Sequence, residues 1–360
     1  MAIPFLLAPM AELSHRALRE LIESFGGCTE YFTEMTSAAG LLSGGPFEAW
    51  YLDGGPRPEK LVYQLEGASA EKIAAAAAVL DRLPCAGIDI NMGCSAPLVR
   101  KAGAGAAWMA SIDGAGNLVA RVRKSTKKRL SVKIRAGFTG DFEYLLRFCR
   151  RLEEEGAELI TLHPRTAGEK FRRKARWDYV YRLRKELRVP VAGNGDISDA
   201  EELAKRAAFD AGNGARGGLM TGRAAVREPW IFARARRLGA GTELEAGALS
   251  RERAFPAGAE SPPVEETGLR FLDLLARHQP PEFHLSRARR FFSYFCDNLT
   301  WANHVKNLIN REEGLAGIER VWRRHFEEHP EERAGKYFRS LSSFSSGSLP
   351  ISPCPENGAR

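Results

Sequence analysis

The strongest constraint on this chain is an alternation of texture. Eight short apolar runs, at residues 4–10, 29–35, 60–65, 87–92, 130–135, 158–163, 189–193 and 217–222, are separated by stretches with three- and four-residue apolar spacing. The helical patterns fall at 14–24, 70–82, 116–126, 142–155, 177–187, 200–207 and 229–236. A strand followed by a helix implies a crossover to a parallel neighbour. Eight such units over some 235 residues match the size of a (β/α)8 TIM barrel, an α/β fold of roughly 250 residues. A doubly wound open sheet is the competing arrangement of the same units.

After residue 237 the pattern changes. Residues 238–267 are rich in Gly, Ala, Pro, Glu and Ser and read as a linker. Residues 268–341 are helical throughout (FLDLLARH, SRARRFFSYFCDNL, VKNLINREE, IERVWRRHFEEH) and read as a small C-terminal all-helical domain. Residues 342–360, rich in Ser, Pro and Gly, read as a disordered tail. A chain of 360 residues can bury a core without staples. Its six cysteines (Cys28, Cys85, Cys94, Cys149, Cys296, Cys354) form no CxxC pair and no cluster with histidine, which argues against a disulfide framework or a structural metal. The N-terminal MAIPFLLAPMAEL lacks the basic region and cleavage site of a signal peptide, and no apolar run approaches the ~20 residues that span a bilayer. A soluble, cytoplasmic protein with no membrane partner is expected. Nothing in the sequence sets the oligomeric state.

The net charge is a modest +8, but it is unevenly spread. Residues 121–190 carry 21 Lys and Arg against 9 acids, a net of +12, so the rest of the chain sums to about −4. The densest run is KFRRKAR (170–176), with Lys170, Arg172 and Arg173, directly after the sixth strand. In a barrel that segment lies on the C-terminal face, where barrel enzymes carry their active sites. The reading favours an anionic macromolecular partner over a merely solvated face.

The strand ends carry chemistry. The fourth strand ends in Asn91, Gly93 and Cys94; the fifth in Lys133 and Arg135, two apart and therefore on one face. The sixth ends in His163 and Arg165. The seventh ends in Asn194-Gly195-Asp196 and the eighth in Gly222-Arg223, the two loops from which barrels commonly build phosphate sites. Cys94 leaves a strand end beside a glycine. Thiols titrate near ~8.5 and remain protonated at neutral pH, which suits a proton donor. No histidine neighbours it, against a thiolate nucleophile. GNGARG (212–217) fits a dinucleotide pattern but precedes a strand instead of following one, and is set aside.

Taken in order, APM (8–10), YQLEG (63–67), DINMGC (89–94), VKIR (132–135), HPRT (163–166), GNGDI (193–197) and GR (222–223) resemble the tRNA-dihydrouridine synthases over residues 3–232. The helical region resembles that family's RNA-recognition domain in type and position. The resemblance implies an FMN-binding catalytic barrel at 1–237 and a tRNA-recognition domain at 268–341. It implies reduction of the C5–C6 double bond of uridine in tRNA, with NADPH or NADH as electron donor. By the same resemblance Pro9, Met10 and Ala11 lie along the isoalloxazine, and Gln64 and Lys133 bond its polar edge. His163 reaches the flavin or its ribityl-phosphate chain, while Asn194, Gly195, Asp196, Gly222 and Arg223 hold the phosphate. Asn91 contacts the uracil and Cys94 is the general acid. Arg135, Arg165, Lys170, Arg172 and Arg173 face the RNA.

The chain departs from the family pattern in four places. Ser95, not proline, follows Cys94; Ser14-His15 replaces Thr-Asp; HPRT replaces His-Gly-Arg-Thr; and AGNGARGGLM before the eighth strand is long and lacks an acid. An FMN barrel acting on a free small molecule, and a non-catalytic RNA-binding barrel, are the competing functions. The first leaves the basic run and the helical domain without a role, and the second leaves Cys94 and the phosphate loops without one.

Overall fold

The computed structural model describes residues 2–169, 172–239 and 263–334. Eight strands, β1 (Phe5–Leu7), β2 (Glu30–Ser37), β3 (Leu61–Glu66), β4 (Gly87–Met92), β5 (Arg129–Arg135), β6 (Leu159–His163), β7 (Val191–Asn194) and β8 (Leu219–Thr221), close into a barrel in chain order. Every neighbour pair is parallel, and β8 returns to β1 through Phe5, Leu6 and Leu7. Closure rules out the open sheet.

Helices α1 (Arg16–Glu23), α2 (Ala38–Ser43), α3 (Glu48–Leu52), α4 (Ala70–Leu80), α5 (Pro97–Lys101) and α6 (Ile112–Ser125) fall between β1 and β5. Then come α7 (Phe142–Glu154), α8 (Trp177–Glu186), α9 (Ala200–Gly212), α10 (Arg223–Arg227) and α11 (Ile231–Gly239). The long crossover helices start where a side chain can accept the orphan amides of the first turn. Ser69, Ser111, Asp141 and Asp199 cap α4, α6, α7 and α9 in this way.

Strand alternation divides the barrel wall. On β4, Ile88, Ile90 and Met92 face the helices in the main core, whereas Asp89 and Asn91 face inward. Leu6, Phe32, Val62, Leu159, Ala192 and Met220 form a separate apolar plug that fills the barrel interior. Beyond the plug, toward the strands' C-terminal ends, the interior turns polar.

Helices α12 (Val264–His278), α13 (Pro281–Phe295), α14 (Ala302–Arg311) and α15 (Leu315–Glu328) build a C-terminal bundle around stacked Phe271 and Phe291 and the indole of Trp322. The bundle packs on the barrel through α1, where Phe271 meets the His15 ring. Its first helix opens at Val264, inside the stretch read as linker. Residues 240–262 and 335–360, which hold most of the expected linker and all of the expected tail, lie outside the described residues.

The eighth strand begins two residues late: Gly217, at φ +123, lies outside the extended region, and a Cβ there would stand 2.2 Å from Val191 O. Among the described residues, no helix is long and apolar enough to cross a membrane, and no group of three metal-ligating side chains occurs.

Gly193 on β7 shows how tightly the wall is packed. A Cβ there would stand 2.3 Å from the Trp177 ring, which carries the Arg206 guanidinium 4.0 Å from its centre. Gly193→Ala is expected to cost about 1–3 kcal/mol by overpacking. A lower urea midpoint at unchanged slope is the expected observation, and an unchanged midpoint would show that the indole can yield.

Candidate active site

The C-terminal mouth of the barrel holds a cavity of about 770 Å³. Its floor is a chain of hydrogen bonds. Asp89, fully buried, accepts from Gln64 Nε2 at 2.7 Å and Ser131 Oγ at 2.6 Å. Gln64 Oε1 accepts from Asn91 Nδ2 at 3.2 Å, and Asn91 Oδ1 accepts from the backbone amides of Gly93 and Cys94, both at 2.9 Å. The carboxylate therefore orients Gln64, Gln64 orients Asn91, and Asn91 shapes the turn that carries Cys94. Asn91 was expected to contact a substrate base. Its carbonyl is committed to the turn; its amide, bonded to Gln64 through one hydrogen, keeps a second donor in a residue that lines the cavity. The direct bonds to Asp89 come from neutral partners, so desolvation outweighs them and pushes its pKa up to about 6.

Lys133 and Arg135 follow Ser131 on the inward face of β5. Loss of hydration, then the neighbouring Arg135 charge, lowers Lys133 to about 8, leaving it mostly cationic at neutral pH. Arg135 is buried, its Nε donating to Gly93 O at 2.8 Å and its NH1 to Thr166 O at 3.3 Å. Arg165 is buried as well, donating to the carbonyl of Arg173, to Asp196 and toward His163 Nε2. Both arginines were expected to contact the substrate or its RNA. They line the cavity inside the rim, where carbonyl and carboxylate partners take up their donors. Arg172 and Arg173 are exposed on the rim, while Lys170 lies outside the described residues.

His163 is held neutral, its pKa lowered to about 2 by burial and then by Lys133, Arg135, Arg165 and Arg223. The Arg165 donor faces Nε2, so the ring proton sits on Nδ1.

The loop after β7 is built around that imidazole. Gly195, at φ +112, could not carry a side chain, since a Cβ would stand 2.9 Å from His163 Cδ2. Its carbonyl accepts from Trp177 Nε1 at 3.0 Å. Asp196, also left-handed at φ 55, spends its carboxylate on Arg165 and on the amide of Ala175 at 2.6 Å. It braces the loop through these bonds, and an ionised carboxylate, which only accepts hydrogen bonds, has no donor to offer an anion. Asn194 Nδ2 donates to Met220 O at 2.8 Å, tying β7 to β8. Gly222 and Arg223 open α10 at the cavity wall. Pro9, Met10 and Ala11 supply an adjacent wall, in a turn held by Ser14, whose hydroxyl accepts from Met10 N at 2.9 Å and donates to Met10 O at 3.2 Å.

Sequence reasoning missed the wall contributed by the helical bundle. Arg290, Tyr294 and Asp297 line the cavity, as do Met35 and Arg227. Residues 290 and 294 are four apart on α13 and share a face, and 297 follows in the turn just past its end, a spacing legible in the sequence. That this face meets the barrel depends on docking, which periodicity does not encode.

A family model described as "Dihydrouridine synthase (Dus)" matches residues 6–316. The chain belongs to the dihydrouridine synthase family. It is 35% identical over 235 residues to a probable tRNA-dihydrouridine synthase of Aquifex aeolicus (strain VF5), covering 63% of this chain and 71% of that one. It is 30% identical over 245 residues to the tRNA-dihydrouridine(16) synthase of Ralstonia nicotianae, covering 64% and 72%. The similarity to tRNA-dihydrouridine synthase B of Pseudomonas syringae pv. tomato, 28% identical, runs over 308 residues and covers 86% and 87%. That length extends past the barrel into the helical bundle.

In this family member the Asp89 network is open to a pH test. Asp89 ionises less readily folded (about 6) than at its ordinary value of 3.8. Its contribution to stability is therefore complete below about pH 4 and lost as pH rises through about 6. Relative to Asp89→Asn, wild-type stability is expected to fall by about 2 kcal/mol between pH 4 and pH 7. Urea midpoints over that range check it, and a pH-independent difference would refute the raised pKa.

Proposed function

We propose that this chain reduces the C5–C6 double bond of specific uridines in tRNA, with FMN bound in the barrel mouth and NADPH or NADH as the source of electrons. The observation that carries the reading is the donor set of the cavity. Lys133, Arg135, Arg165 and Arg223 line it beside a neutral imidazole, and Asp196 is already bonded to Arg165. Such a lining suits a phosphate-bearing ligand. The wall formed by Pro9, Met10, Ala11 and Met35 suits a flat aromatic ring system, and about 770 Å³ lies in the range of cofactor pockets. The residues fit FMN.

Arg223, with the backbone amides around Gly195 and Gly222, would hold the phosphate; Gln64 and Lys133 would meet the polar edge of the ring; His163, with its proton on Nδ1, would act as a neutral donor. When bound and reduced, the flavin supplies a hydride for uracil C6. Cys94 holds the proton destined for C5, at the rim turn fixed by Asn91. The remaining Asn91 amide hydrogen and the Lys133 cation offset the charge that builds on the base carbonyl as C6 is reduced. A uridine in a tRNA loop can be splayed out to enter the mouth. Arg172 and Arg173 on the barrel rim, and Arg290 and Tyr294 on the bundle, flank its path.

Cys94→Ala is expected to lower dihydrouridine formation by about a hundredfold or more while leaving bound FMN unchanged. Mass spectrometry of tRNA nucleosides beside the flavin absorbance spectrum measures both, and full activity in this variant would remove Cys94 from the mechanism. Reversing Arg172 and Arg173 to Glu is expected to raise KM for tRNA and flatten its salt dependence without loss of flavin. An unchanged salt slope would return these arginines to a solvated face.

A further inference from the structure

Glu34 stands on β2 between Thr33 and the cavity-lining Met35. It is 5% exposed, and its two oxygens serve different parts of the molecule. Oε1 accepts from the backbone amide of Glu12 at 2.6 Å. Oε2 lies 3.0 Å from the guanidinium of Arg287, a residue 3% exposed on α13 of the helical bundle. Glu12 belongs to the turn whose neighbours Met10, Ala11 and Leu13 line the cavity. At φ 64 it occupies the left-handed region, which a glutamate keeps only where its surroundings impose it.

Arg287 is braced on the bundle side. It donates to Gln279 Oε1 and lies 4.8 Å from the Phe283 ring centre. Arg19, the other cation near Glu34, spends its donors on the carbonyls of Ser14 and Asp53. None of Glu12, Glu34 and Arg287 lines the cavity themselves.

We propose that Glu34 is a positioning residue that couples the cofactor-facing turn 8–14 to the docked helical domain through Arg287. Buried ion pairs are poor sources of net stability, because desolvation cancels most of their attraction. What this pair supplies is geometry: one carboxylate holds a strained amide of the barrel with one oxygen and the bundle with the other. Without Arg287 the buried carboxylate loses its compensating charge and either turns toward water, releasing the Glu12 amide, or takes up a proton, which leaves that amide only a weaker, neutral acceptor. Cofactor affinity is thereby linked to a residue on another domain that does not touch the cofactor site. The link to cofactor rests on the flavin reading above; the link to the turn does not.

The test is hydrogen–deuterium exchange of the peptide covering 8–14 in full-length, cofactor-free protein, beside FMN titration followed by flavin fluorescence. Arg287→Gln is expected to raise exchange in that peptide and to weaken FMN binding by about tenfold. Arg287→Lys, which keeps the charge, should recover most of both. Arg320→Gln, on the exposed face of α15, should alter neither. Wild-type exchange at 8–14 together with wild-type FMN affinity in Arg287→Gln would overturn the coupling. If that variant does not fold, Glu34→Gln, which leaves Arg287 its Gln279 and Phe283 contacts, carries the same two measurements. Failure of the wild-type protein to take up FMN would sink the flavin reading, and the exchange arm would still decide the coupling.

Discussion

A closed parallel barrel gives each strand one inward residue in two, and all eight strands must share one interior. Every element of this site follows from how that space is filled. The apolar plug of Leu6, Phe32, Val62, Leu159, Ala192 and Met220 shuts out water from below. Polar side chains above it can find partners only across the barrel or in the loops that cap it. Asp89 reaches to β3 and β5, Asn194 to β8, and Arg135 to the loops after β4 and β6. The chemistry therefore rests on strand ends fixed from several sides, the rigidity that precise positioning requires.

The parts of this arrangement that depend on local pattern were legible in the sequence. Alternation in GIDINM and VKIR places Asp89 with Asn91 and Lys133 with Arg135 on one face, as the structure has them. The loops after β7 and β8 could be located from their glycines. Bonding direction was not legible. Asn91, Arg165 and Asp196 look like groups offered to a ligand, yet each is largely occupied within the protein, since a buried donor or acceptor takes the first partner that closure provides. The register shift between Phe32 and Met35, which brings Met35 to the cavity, also left no mark in a two-residue pattern. Nor did the docking of Arg287 against Glu34, which joins residues 253 apart.

The basic bias of residues 121–190 has a different form from the one its composition suggests. Several of its arginines are paired on the outside of the barrel, between the helices and the loops that follow them: Arg123 with Glu158, Arg150 with Glu186, Arg188 with Glu153. Others recruit acids from outside the segment, as Arg129 does with Glu30, Arg165 with Asp196 and Arg184 with Asp210. The segment's charge is thus spread around the barrel flank, and among the described residues the share left to the rim is the short exposed run at Arg172, Arg173 and Lys174. A local density of like charge in sequence marks a surface only after its partners are subtracted.

That run is attached in an unusual way. The carbonyl of Arg173 is held by Arg165, and the amide of Ala175, two residues on, by Asp196. Both anchors belong to one ion pair, the buried guanidinium of Arg165 and the part-exposed carboxylate of Asp196 in the loop after β7. The exposed arginine side chains therefore hang from a backbone whose freedom was surrendered when the barrel folded. Fixing a backbone residue costs about 1–2 kcal/mol, and immobilising a long cationic side chain up to about 2. A polyanion arriving at this rim has mainly the second of these costs to meet, because the backbone at Arg173 and Ala175 is already anchored.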